Sequence, residues 1–393
     1  MIAKKIILSL LFCSFINYEI EAQTAIAVGN KSIELSGIVA GFYNYRILKP
    51  EEDNFKNNKL ALRNIIFCVN GRVENKWEYE FQADFLNMSN STMADPENPG
   101  IVTAFIAYKA LPVKIKFGYD KLPYSQGALA SIYETPYWSR TQITRGDFFS
   151  RRDVGITLSS SLWRQRLNIY AGAYTGLGET VFTANGGDVD PSGSLEYIGR
   201  IDAAFPSRYR YDEIDYKHSP IPLIRIGANT RYTDKTQPGD NTLPLNVAGI
   251  YGLKVINGKK LIYGFDISIA YQGFSAQAES QLLKLNPAKS DDLLYHNTTE
   301  DVSEKVIYAG GFQGQVNYFW KSAKSLFSAR YENYNTNDLV SGSAERVSAA
   351  YAYQINGFKN SIKIQYFKIL AEDENSEPLK WTDQIRIGWQ YMF

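Results

Sequence analysis

The side chains with the clearest capacity for chemistry in this sequence are basic residues in and beside one long polar segment, residues 121–151. They are Lys121, Arg140, Arg145, Arg151 and Arg152. Ammonium and guanidinium groups attract anions, and a guanidinium can hold a phosphate or carboxylate through two parallel hydrogen bonds. These five residues are therefore the first candidates for contact with an anion.

A second set of basic residues lies in segments where every other residue is apolar. The members on the polar face are Lys114, Lys116, Arg166, Arg200, Arg225, Arg231, Arg330, Lys363 and Arg386. The same face carries acidic residues: Glu78, Glu80, Asp84, Asp120, Asp202, Asp266 and Glu332. Basic rings around a water-filled path select anions, whereas opposed charges on adjacent strands often only pair with each other. Both interpretations stay open for each of these residues.

Catalytic and metal chemistry find little support in the composition. The chain has two histidines, His218 and His296, and two cysteines, Cys13 and Cys68. His218 lies in a proline-flanked connection and His296 in a long loop, so we expect them on opposite sides of a membrane and not in one site. We predict no enzymatic activity, no metal site and no cofactor. Because 42 Lys and Arg balance 41 Asp and Glu, we also predict no nucleic-acid partner.

The N-terminus has the pattern of a cleavable export signal. Lys4 and Lys5 precede an apolar run over residues 6–16, and Ala22 suits the last position before cleavage. The run is shorter than the roughly 20 residues of a membrane-spanning helix. We predict three parts: a signal peptide (1–22), a short lead (23–35) and one folded body (36–393).

Apolar and polar residues alternate through most of the remaining chain. The clearest examples are 76–85, 113–120, 261–272 and 384–393. A period of two puts the two sets on opposite faces of a strand. A membrane barrel turns the apolar set to lipid and the polar set to its lumen, while a large soluble β-protein buries the apolar set. The final alternating strand, which ends in Phe393, favours the barrel.

Sixteen strands are predicted, most of them about ten residues long, which is the length that crosses the hydrocarbon core. They cover 36–46, 61–73, 76–86, 101–109, 112–120, 152–162, 166–175, 197–204, 222–232, 245–256, 260–275, 305–319, 325–335, 344–355, 361–370 and 382–393. Short turns, including one at 257–259, alternate with long polar loops, including 233–244 and 276–304. This asymmetry is typical of short periplasmic turns and long outer loops. The connection 205–221 breaks the alternation, and is either a longer excursion or an error in the strand count.

Three segments resemble the phosphate-selective porin O and P family. They are Arg72 to Asp84 after Gly71, Ile115 to Ser125 followed by Leu129-Ala-Ser-Ile, and Arg151-Arg-Asp-Val-Gly-Ile. The resemblance implies a sixteen-stranded antiparallel barrel, commonly a trimer, that passes anions through a basic lumen. It also implies that the loop 121–151 folds inward and narrows the channel.

We therefore predict a porin of the bacterial outer membrane for small solutes, with a preference for anions and with phosphate as one candidate. The basic surplus is slight, so a general channel is equally consistent with the residues. The alternative is a closed or plugged barrel that serves a larger outer-membrane complex, because loops 121–151 and 276–304 could seal the lumen. The predicted partners are outer-membrane lipid, small anionic solutes, two further copies in a homotrimer and other outer-membrane proteins.

Overall fold

The computed structural model describes residues 24–50, 58–86, 100–145, 148–178, 190, 192–209, 211–239, 253–290, 292–295, 305–372 and 379–393. Strands account for most of them. Among these residues, no helix is long and apolar enough to cross a lipid bilayer. The segment 1–22, predicted to be a signal peptide, lies outside the described residues.

Seventeen strands follow one another along the described chain. They are β1 (Thr24–Val28), β2 (Lys31–Leu48), β3 (Asn58–Val73), β4 (Trp77–Asp84), β5 (Ile101–Tyr108), β6 (Lys114–Lys121), β7 (Arg152–Leu162), β8 (Leu167–Tyr174), β9 (Glu196–Phe205), β10 (Leu223–Asp234), β11 (Gly258–Tyr271), β12 (Phe274–Pro287), β13 (Ile307–Trp320), β14 (Ser325–Asn335), β15 (Ala344–Asn356), β16 (Asn360–Ala371) and β17 (Trp381–Met392). Two short helices, α1 (Gln126–Leu129) and α2 (Gln142–Arg145), lie between β6 and β7. Two single 3-10 turns are found at Ile132–Glu134 and Leu293–Tyr295.

Sixteen of the strands close into an antiparallel barrel. Each strand from β2 to β17 pairs with its neighbours in sequence, and β17 returns to pair with β2. Strand β1 forms a hairpin with the first residues of β2, so the segment predicted as a lead, 23–35, carries strand structure. Closure satisfies the backbone groups of every strand in the ring, which a β-structure in lipid requires. The predicted fold, an all-β barrel of sixteen antiparallel strands, is confirmed.

The two faces of the wall follow the alternation of the sequence. Large apolar side chains point outward, and their exposed fraction is 65% at Phe265 and 40% at Trp77. Polar side chains such as Gln277 and Gln315 point inward and are buried. An outward apolar face is what hydrocarbon requires.

One region of the predicted strand order is wrong. The prediction placed a strand at 245–256 and a loop at 276–304, but β12 occupies Phe274–Pro287 and pairs with both neighbours. Residues 245–252 lie outside the described part of the chain, and 253–256 are not strand. The error arose because the outward positions of β12 include Ala276 and Ala278, which give only a weak apolar signal.

The turn between β11 and β12 also escaped the prediction. It consists of Gln272 and Gly273, both with a positive φ, at 48° and 84°. Glycine adopts this backbone region without strain. Outward side chains have odd numbers in β11 and even numbers from Phe274 onward, so the turn shifts the alternation by one residue. A break of two residues is too short to separate two strands in the sequence, and the prediction joined β11 and the start of β12 into one segment, 260–275. Correspondingly, the predicted short turn at 257–259 belongs to the end of a long connection, 235–257, and the start of β11.

The connections differ at the two ends of the barrel. At the short-turn end they span 74–76, 109–113, 163–166, 272–273, 321–324 and 357–359, together with the longer 206–222. At the long-loop end they span 49–57, 85–100, 122–151, 175–195, 235–257, 288–306, 336–343 and 372–380. The exceptional length of 206–222 is therefore a property of the fold, since the strand count around it is even. By the general rule for bacterial barrels, the short-turn end faces the periplasm.

Candidate functional site

Loop 3, the connection 122–151 between β6 and β7, lies inside the barrel. Wall side chains accept hydrogen bonds from its backbone: the Glu279 carboxylate from the N–H of Gly127, and the Glu332 carboxylate from the N–H of Gln142 at 2.8 Å. A loop within the lumen has no strand partner, so its buried backbone donors need such acceptors. The Ser125 hydroxyl caps α1 in the same way, by accepting from the N–H of Ala128 at 3.1 Å.

Apolar side chains reinforce this position of loop 3. Near its two ends, Tyr124, Phe148 and Phe149 join a buried cluster with residues of β11 and β12, including Ile262 and Leu283. The burial of several aromatic rings contributes a few kcal/mol each, so the loop ends are held firmly to this side of the barrel.

The centre of loop 3 is attached farther round the barrel, to β16, β17 and β2, through Trp138. Its backbone N–H donates to the amide oxygen of Gln365 at 2.9 Å, and its ring is 1% exposed. The ring centroid lies 5.5 Å from that of Phe42. A Cβ atom at Gly388 would lie 2.7 Å from the Trp138 ring, so the glycine provides the space for it.

The connection 206–222, called here the long connection, also folds into the barrel, from the short-turn end. Its Tyr211 hydroxyl donates to Asp202 on β9 at 2.5 Å, and the guanidinium of Arg225 lies 4.2 Å above the Tyr211 ring. On the far side, the Tyr216 hydroxyl accepts a hydrogen bond from Gln354 on β15 at 2.6 Å. The long connection therefore spans the interior from β9 to β15.

Acidic residues of the long connection hold its shape. Asp215 accepts hydrogen bonds from the backbone N–H groups of Ser219 at 2.8 Å and Gly273 at 2.9 Å. The Glu213 carboxylate accepts from the side chain of Gln315 at 3.1 Å, and Glu213 interacts electrostatically with Arg140 of loop 3. The long connection and loop 3 thus meet inside the barrel. His218 lies in the long connection, while His296 lies outside the described residues.

We expect the long connection to keep loop 3 in place. Replacement of residues 208–219 by a short Gly-Ser turn should raise the single-channel conductance about twofold, because a sixteen-stranded barrel encloses a wide lumen once its fillings are removed. Bilayer recordings on the refolded variant measure this. An exchange of the exposed turn 321–324 for the same linker is the control. An unchanged conductance would mean that loop 3 closes its side of the lumen unaided.

The two inward segments fill one side of the barrel and leave the other side accessible. Inward polar residues of β10 to β16 are buried, among them Arg225, Gln277, Asn317, Gln354 and Lys363. Inward residues of β2 to β6 remain partly exposed, among them Ser36, Asn70, Glu80, Gln82 and Lys116. Any path along the barrel therefore follows the wall formed by β2 to β6.

A cavity of about 640 Å³ lies between loop 3 and this wall. Its lining includes Ile101 at the long-loop end and Phe393 at the short-turn end, so it extends along much of the barrel. All five basic residues predicted in and beside loop 3 line it. The charged residues around it are Lys116, Lys121, Arg140, Arg145, Arg151, Arg152 and Lys359 with Glu80, Asp84 and Asp120. Among the described residues, seven basic side chains thus face three acidic ones.

The basic residues of the cavity are positioned by loop 3 itself. The ammonium group of Lys121 donates to the carbonyl of Leu129 at 3.0 Å, and the guanidinium of Arg140 donates to the carbonyls of Gly127 and Ala130. Burial and the neighbouring Arg152 lower the pKa of Arg140 to about 10, which leaves it charged at neutral pH. Buried nitrogen atoms of Arg151 and Arg152 have no hydrogen-bond partner among the described residues.

The basic residues predicted on the strands have different environments. Lys116 pairs with Asp120 beside the cavity, and Lys114 pairs with Glu78 at 2.6 Å near the short-turn end. Arg166 does not face the lumen, because it lies exposed in the turn between β7 and β8. Most of the others lie in the filled side: Arg200 paired with Asp266 at 2.5 Å, Arg225 against Tyr211, Arg231 paired with Glu196 at 2.6 Å, Arg330 stacked 3.9 Å above Tyr137, and Lys363 fully buried.

A second cavity of about 260 Å³ opens at the long-loop end beside β14 to β17. Arg140 and Arg145 line both cavities, so they stand between them. Arg386, predicted from the sequence, lines the second cavity together with Arg346. The guanidinium of Arg386 is close enough to Arg145 for mutual repulsion.

Three arginines on the inner surface were missed by the sequence analysis. Arg46 and Arg346 follow the alternation of their strands, which would have found them. Arg63 does not, because a β-bulge interrupts the pairing of β2 with β3 and places both Arg63 and Asn64 inward. The Asp84 carboxylate supports the bulge by accepting from the N–H of Ile65 at 3.1 Å. The Arg63 guanidinium then lies 5.8 Å from the Trp138 ring.

Comparison with known proteins agrees with this architecture. The family model described as phosphate-selective porin O and P matches residues 33–393. No curated protein matches the sequence. Three solved structures show the same fold at low sequence identity.

A loop-deletion mutant of OmpT, an outer-membrane protein of Vibrio cholerae, has a TM-score of 0.57 at 10% identity, and the match covers 93% of this chain and 100% of that one. An anion-selective porin from Comamonas acidovorans has a TM-score of 0.55 at 9% identity, and the match covers 92% of this chain and 100% of that one. The DcaP channel of Acinetobacter baumannii has a TM-score of 0.55 at 11% identity, and the match covers 93% of this chain and 99% of that one.

Proposed function

This chain belongs to the phosphate-selective porin O and P family and is a porin of the bacterial outer membrane; on that premise, we propose that it passes small anions in preference to cations. The family and the barrel indicate a channel rather than an enzyme. Phosphate is one of the anions that we expect to pass.

The observation that carries the proposal is the charge around the main cavity, with seven basic and three acidic side chains. An ion in a narrow path loses part of its hydration, and fixed cations then favour anions over cations. We propose that loop 3 forms the constriction and that Lys121, Arg140, Arg145, Arg151 and Arg152 set the selectivity there. A solute entering from the long-loop end would pass Arg140 and Arg145 and then follow the main cavity along β2 to β6.

The proposed partners follow from the surface and from the family. The outward apolar face suits the lipid of the outer membrane. An OmpT structure of Vibrio cholerae is described as a trimer form, and we propose a homotrimer for this chain as well. Contact with other outer-membrane proteins remains a prediction. We also expect export with cleavage after residue 22, which N-terminal sequencing of the membrane-inserted protein would check.

The test is conductance of the purified full-length protein in a planar bilayer under a potassium chloride gradient. We expect stable channels whose reversal potential lies nearer to the equilibrium potential of chloride than to that of potassium. A reversal potential nearer to the equilibrium potential of potassium would contradict the proposed selectivity. Well-folded protein that inserts without conductance would instead favour the alternative function, a plugged barrel in a larger assembly.

A further inference from the structure

The main cavity has apolar side chains in its wall where a water-filled path would ordinarily carry polar ones. Ile38 on β2 and Ile66 on β3 lie on the inner face and are directly opposite each other in the strand pairing. Phe105 on β5 also faces the cavity. Alternation predicts polar residues at inward positions, so three large apolar side chains on one part of the wall are exceptions to it.

Loop 3 extends the apolar strip from the other side of the cavity. Leu129 and Ile132 line the same space and are partly exposed to it, as are Ile38 and Phe105. These side chains are therefore not simply the interior of a packed cluster. The path has an apolar strip along part of its length and a basic strip along another part.

Phe105 joins the two strips. The ammonium group of Lys116 lies 5.1 Å from the centre of the Phe105 ring. A ring and a cation held side by side match a molecule that carries an aromatic or aliphatic body and a carboxylate. The body would contact Phe105 and Ile38 while the carboxylate approaches the basic groups.

We propose that this path favours organic anions with an apolar body, such as aromatic monocarboxylates, over purely hydrophilic anions. The inference rests on the proposed anion preference and names the class of solute within it. Its physical basis is that an apolar body leaves water when it contacts the strip, whereas a phosphate or a sugar acid gains nothing there. The apolar strip thus adds a second criterion to the charge.

The probes are benzoate and gluconate, two monocarboxylates of equal charge, one with an apolar and one with a hydroxylated body. We expect benzoate to inhibit the chloride current at a concentration about fivefold lower than gluconate, which corresponds to about 40 Å² of apolar surface at 25 cal/mol per Å². The variant Ile38→Ser with Phe105→Gln keeps every charge and should remove the difference. The matched control is Val39→Ser with Phe67→Gln, two positions on the same side of the barrel whose side chains face lipid. This control variant should keep the difference between benzoate and gluconate.

A second variant guards against a wall substitution that prevents folding. Leu129→Ser with Ile132→Ser alters only loop 3 and should also reduce the benzoate advantage. Equal inhibition by benzoate and gluconate in the unmodified protein overturns the inference, and so does an advantage that survives both folded variants. Neither result affects the chloride-over-potassium reversal potential, which tests the proposed function separately.

Discussion

Substitution of Arg140, Arg145, Arg151 and Arg152 by glutamine in one variant removes most of the anion preference. The main cavity then keeps three basic and three acidic side chains, so the fixed charge around it falls to zero. Because selectivity in a narrow path follows the fixed charge, the reversal potential should move toward the equilibrium potential of potassium. The measurement is the reversal potential in a potassium chloride gradient, compared with that of the unmodified protein.

The control removes four positive charges elsewhere. Lys76, Arg164, Lys321 and Lys324 are exposed in short turns at the short-turn end and lie outside the main cavity. Their replacement by glutamine should leave the reversal potential nearly unchanged, since exposed charges are screened within about 10 Å at 0.1 M salt. If both variants shift it equally, selectivity depends on overall charge and loop 3 does not form the constriction.

Trp138→Ala should release the centre of loop 3 from the wall. The substitution removes a ring that is almost completely buried between Phe42 and Gly388, and loss of a buried tryptophan costs about 3–5 kcal/mol of packing. The loop segment between α1 and α2 then leaves its position, and the path widens. We expect a higher single-channel conductance, frequent transitions between conductance levels and a weaker anion preference.

Two further variants separate this effect from a general loss of stability. Trp163 is 73% exposed in a turn at the short-turn end, so Trp163→Ala should leave the conductance unchanged. Gln365→Ala removes the acceptor of the Trp138 backbone N–H, and it should reproduce the effect of Trp138→Ala in part. If a folded Trp138→Ala barrel conducts as the unmodified protein does, the ring is not what holds loop 3.

Much of the barrel could be predicted because its wall follows a local rule. Apolar and polar residues must alternate along a strand that faces lipid, so β4, β6, β11 and β17 can be predicted from neighbouring residues alone. The rule fails where the apolar positions carry small side chains, as at Ala276 and Ala278 of β12. It also fails where a turn is only two residues long and leaves no polar break between two strands, as at Gln272 and Gly273.

The inward orientation of most charged residues of the site could be predicted for the same reason, but their contacts and roles could not. Arg225, Arg231 and Arg330 face inward as the alternation predicted, yet two inward segments cover them and they contact aromatic rings or a carboxylate. Arg63 faces inward only because of a bulge that no periodicity indicates.

By itself, the sequence determined the barrel and the basic residues around loop 3, because both depend on residue type and on a period of two. The predicted count of sixteen strands was right only because the strand wrongly placed at 245–256 offset the missed β12. Only the tertiary structure decided which part of the lumen stays accessible. That outcome depends on loop 3 and the long connection, two irregular segments whose contacts lie across the barrel on strands distant in sequence. Such contacts leave no periodic pattern, so packing inside the closed ring alone establishes them.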